Sequence, residues 1–506
     1  MEKRALIAVI LSILILVVYQ YFFMPAPVPK SEVDKRTTME AGNKTKEETT
    51  PTAIPEIIKE DISKIKNITV ESDLYTAIFS SRGGTLKSIT LKKYKDKGGK
   101  PITLKGDEKI PPFSIGVDEN FQFGEANFSV KGSDIKLGAE KDKATLVFEY
   151  SSGDMIIRRT YTVYNDHYGI DLRDEVNFPY MVTVGKDFGI YEKDESVHYG
   201  PVVLRYADRR EFVTDKLKEP ALFKEGIKWI AQEDKYFFSA IAPRSAVEEA
   251  KVWAKEGVAL VALKLNSGVN DYLIYAGPKE YDLLKKFGLE LEHIVDFGFF
   301  SFLARPLFWI LKLFYGIFHN YGIAIIFLTI ITRIPFIPLI NKGQKSMKKL
   351  QDIQPKIVEI REKYKKDPQR MQREIMELYK KNKVNPMGGC LPLILQIPVF
   401  FALYKILTIA IELRGAPFVL WINDLSVKDP YYILPIVMGA TMVIQQKMTP
   451  STMDPTQQKL MMLMPVIFTF LFLTFPSGLV LYWLVNNVLS IAQQWYINRK
   501  LQKQPV

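Results

Sequence analysis

Apolar positions change their spacing along the chain, and each spacing predicts a different kind of element. Residues Ala5–Met24 form an almost unbroken apolar run behind Lys3 and Arg4. Twenty helical residues at about 1.5 Å each reach about 30 Å, the thickness of a bilayer core. Tyr19, Tyr21, Phe22 and Phe23 make an aromatic belt at its far end, as expected at a membrane interface. A cleaved signal peptide is the rival reading, but Pro27 follows the candidate cleavage site at Ala26 and the run exceeds a usual signal core. The run reads as an uncleaved anchor with its N-terminus in the cytoplasm. Residues 25–60, rich in Pro, Thr, Glu and Lys, read as a linker. From Ile68 onward, apolar residues alternate in short runs, including 144–150, 155–164, 168–176 and 258–275. Arg82-Gly83-Gly84 and Lys97-Gly98-Gly99 punctuate them. This pattern predicts an antiparallel β-sandwich of about 200 residues.

A second apolar region begins near His293. Phe297–Phe318 and Gly322–Ile340 both have the length of a span, and the first carries Arg305, Pro306 and Lys312. Residues 341–385 hold 14 Lys/Arg against 6 Asp/Glu, a net of +8 within a chain total of +12. If both segments crossed the membrane, that charge would lie outside, against the positive-inside rule. The first therefore reads as an amphipathic helix in the outer interface. Further spans are expected at about 391–411, 431–446, 460–475 and 479–495, giving six in all with both termini inside. The predicted organisation is an anchor (1–24), a linker (25–60), a β unit (61–290), an interfacial helix (291–318) and a second span (319–340). A basic helical hairpin (341–388), four spans (389–498) and a basic tail (499–506) follow.

Candidate functional residues concentrate in the C-terminal half. Arg333 lies within a span, and Thr329 stands one turn away on the same face. A mid-membrane Arg costs about 2.5–3.5 kcal/mol unless it faces protein or water, so a solvated cavity is expected; snorkelling to the inner headgroups is the alternative. In the last span Trp483, Asn486/Asn487, Ser490 and Gln493/Gln494 recur every three to four residues as a polar stripe. Gln396 adds a polar group to the third span. The stripe lines the cavity or hydrogen-bonds neighbouring helices. No span pairs an acid with Arg333, which weighs against an ion-coupled transporter. Lys405, near the outer end of its span, is expected to snorkel outward. In the hairpin, Leu350, Ile353, Ile357, Ile360 and Tyr364 follow heptad spacing, and Asp367-Pro368 opens a second helix. Its charge either sets topology or docks an acidic or RNA-bearing partner through Lys363, Lys365 and Lys366. Methionines cluster between Met438 and Met464, a pliable apolar surface or ordinary membrane residues. The single cysteine, Cys390, excludes an internal disulfide. Four scattered histidines and the lack of P-loop, HExxH or GxSxG patterns point away from an enzyme, a metal site or a bound cofactor.

The segments Asn385–Pro392, Gln396–Pro398, Leu420–Leu425, Asp429–Pro435, Phe475–Leu479 and Tyr482-Trp483 together resemble the YidC/Oxa/Alb family of membrane protein insertases. An anchor followed by a β-rich insert resembles the Gram-negative form. The resemblance implies a polytopic α-helical membrane protein with a five-helix insertase core and a periplasmic all-β supersandwich. It also implies a hydrophilic groove, open to the cytoplasm and to lipid, around Arg333. The resemblance maps client contacts to the third and fifth spans, including Ile397 and Phe400, and the stripe residues Trp483, Asn487 and Ser490 of the last span join them as groove candidates. Implied partners are nascent membrane proteins, the ribosome, Sec translocon components and the bilayer, with no sequence-specific nucleic-acid binding. Trp483 stands where some members have Tyr, and Lys405 where an uncharged residue is common. A secondary transporter or channel is the alternative function, distinguished by solute flux without any client.

Overall fold

A computed structural model describes residues 65–193, 197–382, 391–448 and 455–502. The anchor, the linker, the Asn385–Cys390 motif, Met453 and the end of the tail lie outside the described residues. Strands run from Asn67 to Pro278 and form two five-stranded sheets and one of nine strands. The runs read from alternation occur as Lys143–Ser152, Met155–Tyr164, Gly169–Val176 and Val258–Leu265, the last followed by Gly268–Pro278. Alternation works as the pleat requires: Tyr75, Ala77 and Phe79 point inward and are fully buried. At the Gly83-Gly84 turn both residues have positive φ, 74° and 55°, and a Cβ on Gly84 would meet the Phe128 ring at 3.0 Å. One inward position of Met155–Tyr164 is charged. Arg159 is fully buried and pairs across the strands with Asp174, Nε to Oδ1 at 2.9 Å.

After a five-residue helix at Tyr281–Lys285 come α1 (Ser301–Phe318), α2 (Tyr321–Arg333), α3 (Ile337–Asp352), α4 (Gln354–Lys363) and α5 (Pro368–Lys381). Then come α6 (Leu391–Ile409), α7 (Ile433–Met448), α8 (Pro455–Phe472) and α9 (Ser477–Gln502). On α1, Ala304, Leu307, Phe308 and Leu311 face the bundle, whereas Phe302 and Trp309 are 72% and 63% exposed. A helix with an apolar outer face suits a hydrocarbon or interfacial setting.

Two expectations change. The second span is not one uniform helix over Gly322–Ile340: α2 ends at Arg333, a 3₁₀ turn covers Ile334–Phe336, and α3 begins after it. Pro335 and Pro338 each remove a backbone donor there. The basic region is likewise three helical pieces rather than two. Pro355 stands in the first turn of α4, where its missing backbone donor costs nothing, and marks the restart of the helix. Leu350, Ile353 and Ile357 still form the buried seam, packed by Ile375 and Leu378 of α5. Asp367 caps α5 as expected, accepting from the Arg370 amide at 3.1 Å.

The β unit and the bundle share one continuous apolar core. A polar contact reinforces the seam: Arg414 donates to the Lys95 carbonyl at 2.8 Å. Lys405 of α6 reaches Asp296, in the segment that leads into α1, at 3.4 Å. Burial disfavours the Asp296 carboxylate, but Lys405 and Arg209 outweigh it and hold its pKa below the usual range. Lys405 thus ends on a carboxylate.

Candidate functional site

Arg333 closes α2 at the proline break and points across the bundle to α9. Its Nη1 donates to the Asn486 carbonyl oxygen at 3.0 Å and to Asn486 Oδ1 at 2.8 Å. Its Nη2 donates to Gln493 Oε1 at 3.1 Å, and Gln493 Nε2 donates in turn to Asn341 Oδ1 of α3 at 2.8 Å. Among the described residues no carboxylate pairs with this guanidinium. Its hydrogen bonds are met by neutral oxygens, so its charge is held in place without being cancelled. Thr332, Phe336, Ile340, Gln396, Val399 and Tyr482 complete a recess around it. The free space there is about 20 Å³, room for roughly one water. Gln396 and Tyr482 stand on its wall.

The polar stripe of α9 divides into two faces. Asn486 and Gln493 turn toward Arg333, whereas the Ser490 hydroxyl donates to the Asn486 carbonyl at 2.8 Å within its own helix. Asn487 and Gln494 lie one residue, about 100°, further round. Asn487 is 4% exposed and donates to Thr441 Oγ1 at 3.1 Å, and Gln494 donates to the Met448 carbonyl at 2.6 Å. Both bind α7. The stripe is recess lining on one face and interhelical glue on the other.

Thr329 does not line the recess. It is 1% exposed and its hydroxyl donates to the Ile325 carbonyl at 2.6 Å within its own helix. Thr332 takes the lining position instead. Phe400 packs edge-on against Trp483 with centroids 5.0 Å apart, and Phe468 and Phe472 flank the indole. Among the described residues the Trp483 Nε1 has no partner. Ile397 faces outward, 43% exposed. Lys363, Lys365 and Lys366 sit at the exposed α4–α5 turn, far in sequence from this recess, with Lys363 Nζ 5.5 Å from the Tyr364 ring centre.

Sequence reasoning missed Tyr482 as a lining residue and Asn341 as the partner of Gln493. The signal was the pair Pro335 and Pro338, which breaks the helix and turns Asn341 toward α9. The quoted loop motifs have a structural basis. Asp429 accepts from the Trp421 Nε1 at 3.0 Å and from the Leu434 amide at 2.7 Å, which fixes the start of α7. The Ser477 and Gly478 amides donate to Val427 and Leu425 at 2.7 and 2.9 Å.

Residues 313–504 match the family described as 60Kd inner membrane protein, and residues 67–310 match that described as YidC periplasmic domain. A relative from Geotalea daltonii named membrane protein insertase YidC is 44% identical over 539 residues, covering 99% of this chain and 100% of its own. One of the same name from Syntrophus aciditrophicus is 42% identical, with 99% and 100% covered. A crystal structure described as an active YidC insertase with its first transmembrane domain resolved is 22% identical. It covers 85% of this chain and 92% of its own, with a TM-score of 0.41.

Proposed function

The chain belongs to the YidC family of membrane protein insertases, and from that premise we propose that it inserts clients into the inner membrane through the recess around Arg333. The observation that carries this reading is a cation met by Asn486 and Gln493 but by no carboxylate among the described residues. Such a charge attracts the acidic flank of a nascent segment.

The mechanism follows from solvation. Moving a polar flank through hydrocarbon is strongly unfavourable. A wet groove reaching part-way through the bilayer shortens the dry path. The groove opens to the cytoplasm and to lipid, between α2, α6 and α9. Short helices thin the bilayer beside it and shorten the path again; α7 has 16 residues. The client's apolar segment then leaves into lipid past Ile397 and Phe400, and its burial supplies the driving free energy. This chain performs no bond chemistry and uses no nucleotide.

The proposed topology has six spans, with the β unit periplasmic, the basic helices cytoplasmic and both termini inside. The exposed lysines Lys363, Lys365 and Lys366 dock the ribosome, and larger clients are handed over from the Sec translocon. The test is reconstitution of the purified protein in liposomes with a small client. Protease protection of the client's translocated tail supports the reading. Solute flux without client insertion would replace it with a channel or transporter.

A further inference from the structure

A second cavity lies between the β unit and the outer ends of the helices, with a volume of about 600 Å³. That is the size of a ligand pocket. Tyr236 and Phe237 wall it from the β unit, Tyr404 and Thr408 from α6, and Arg414 and Lys428 from the loop after α6. Resting on the insertase reading, we propose that this chamber receives the acidic, extended tail of a client as it emerges from the groove.

The first argument is continuity. Gln396, Phe400, Tyr404 and Thr408 recur every four residues and share one face of α6. Gln396 lines the Arg333 recess and Thr408 lines the chamber. Twelve residues of helix separate them by about 18 Å. Aromatic rings fill the interval: Phe400 lies 6.3 Å from Tyr404, and Tyr404 lies 5.9 Å from Phe475, which also lines the chamber. The two cavities thus open on one face of α6, with the rings of Phe400 and Tyr404 between them.

The second argument is unmet hydrogen-bonding and charge. Thr408 is 8% exposed, and its hydroxyl has no partner among the described residues. Three of the four acids lining the chamber, Asp96, Asp234 and Asp424, accept hydrogen bonds, and Glu192 is exposed; Asp96 accepts from the amides of Gly98 and Lys100. Asp234 accepts from the amides of Tyr191, Glu192, Tyr236 and Phe237, and Asp424 accepts from Ser426. Three of the chamber's cations, Lys97, Arg414 and Lys428, form no ion pair among the described residues. Arg414 is held in position by the Lys95 carbonyl and by the rings of Tyr236 and Phe237, whose centres lie 5.8 and 5.7 Å from its Cζ. A chamber with spare donors, unpaired cations and aromatic walls fits a polypeptide bearing carboxylates and unpaired backbone carbonyls.

The test uses the full-length protein in membrane vesicles and a client stalled with an N-terminal tail of several Asp. A photoreactive residue replaces Tyr236 in one variant and Phe400 in another. The proposal expects capture of the client at both positions, with the Tyr236 adduct lost when the tail Asp residues become Asn. Capture at Phe400 with only lipid, or nothing, at Tyr236 overturns the chamber and leaves the groove standing. Capture at neither overturns both. Lys97 and Lys428 are exposed, so the double variant Lys97→Glu, Lys428→Glu leaves the fold intact. It is expected to slow translocation of the Asp tail roughly tenfold, with the Asn tail unchanged. Equal effects on the two tails, or none, would contradict the proposal.

Discussion

Arg333 matters because its charge is fixed but uncancelled. Three hydrogen bonds to Asn486 and Gln493 orient it, and an amide oxygen cannot neutralise a guanidinium. Arg333→Ala is therefore expected to slow insertion of an acidic, weakly apolar client about tenfold, equivalent to ~1.4 kcal/mol. Arg333→Lys keeps the cation and loses less. Strongly apolar clients partition without help and change little. Insertion rates for a client series with graded tail charge measure this. Arg159 and Asp174 in the β unit illustrate the opposite case, a cation and an acid that are both fully buried and mutually paired. Asp174→Asn strands the guanidinium and should destabilise the β unit by ~3–5 kcal/mol. Limited proteolysis of the full-length protein would show the β unit cleaved at lower denaturant. The depth of Arg333 made it legible in the sequence. Its partner Asn486 was not separable from Asn487, because a stripe of neighbouring polar residues does not reveal how far a helix is rotated. Thr329 had the right spacing but bonds its own backbone, a choice that spacing does not encode.

At the scale of elements, prolines decide where helices break and lysines decide what the breaks present. Pro335 and Pro338 end α2 beside Arg333, and Pro355 separates α3 from α4. The apolar seam of Leu350, Ile353 and Ile357 survives these breaks because it is written in heptad spacing. The α4–α5 turn then carries Lys363, Lys365 and Lys366 into solvent. Reversing all three to Glu should weaken ribosome binding at least severalfold at low ionic strength, with the difference shrinking as salt rises. Co-sedimentation across a salt series reads this directly, and unchanged binding with intact orientation would leave topology as the lysines' only role. Strand positions were legible wherever alternation was clean. The inward Arg159 was not, since its partner sits on the next strand, fifteen residues away.

For the whole molecule, the β unit and the bundle meet through a shared core and through Arg414–Lys95, and Lys405–Asp296 ties α6 to the segment that leads into α1. The Arg333 recess is built from α2, α3, α6 and α9 and the turn between the first two, with no residue from the β sheets. Replacing residues 70–270 by a flexible linker is accordingly expected to leave most insertion of clients with short neutral tails intact in vivo. Acidic tails should suffer more, because the deletion removes the roof of the outer chamber. The chamber was invisible to sequence reading, since separate segments far apart in the chain contribute its walls. The groove itself is tested most directly by capturing a stalled nascent chain with a photoreactive residue at Thr332, against a control at Ile436 on α7, which is 59% exposed on the outer surface of the bundle. The account predicts a client adduct from Thr332 and none from Ile436. Adducts from Ile436 alone, or from neither position with insertion still running, would contradict it.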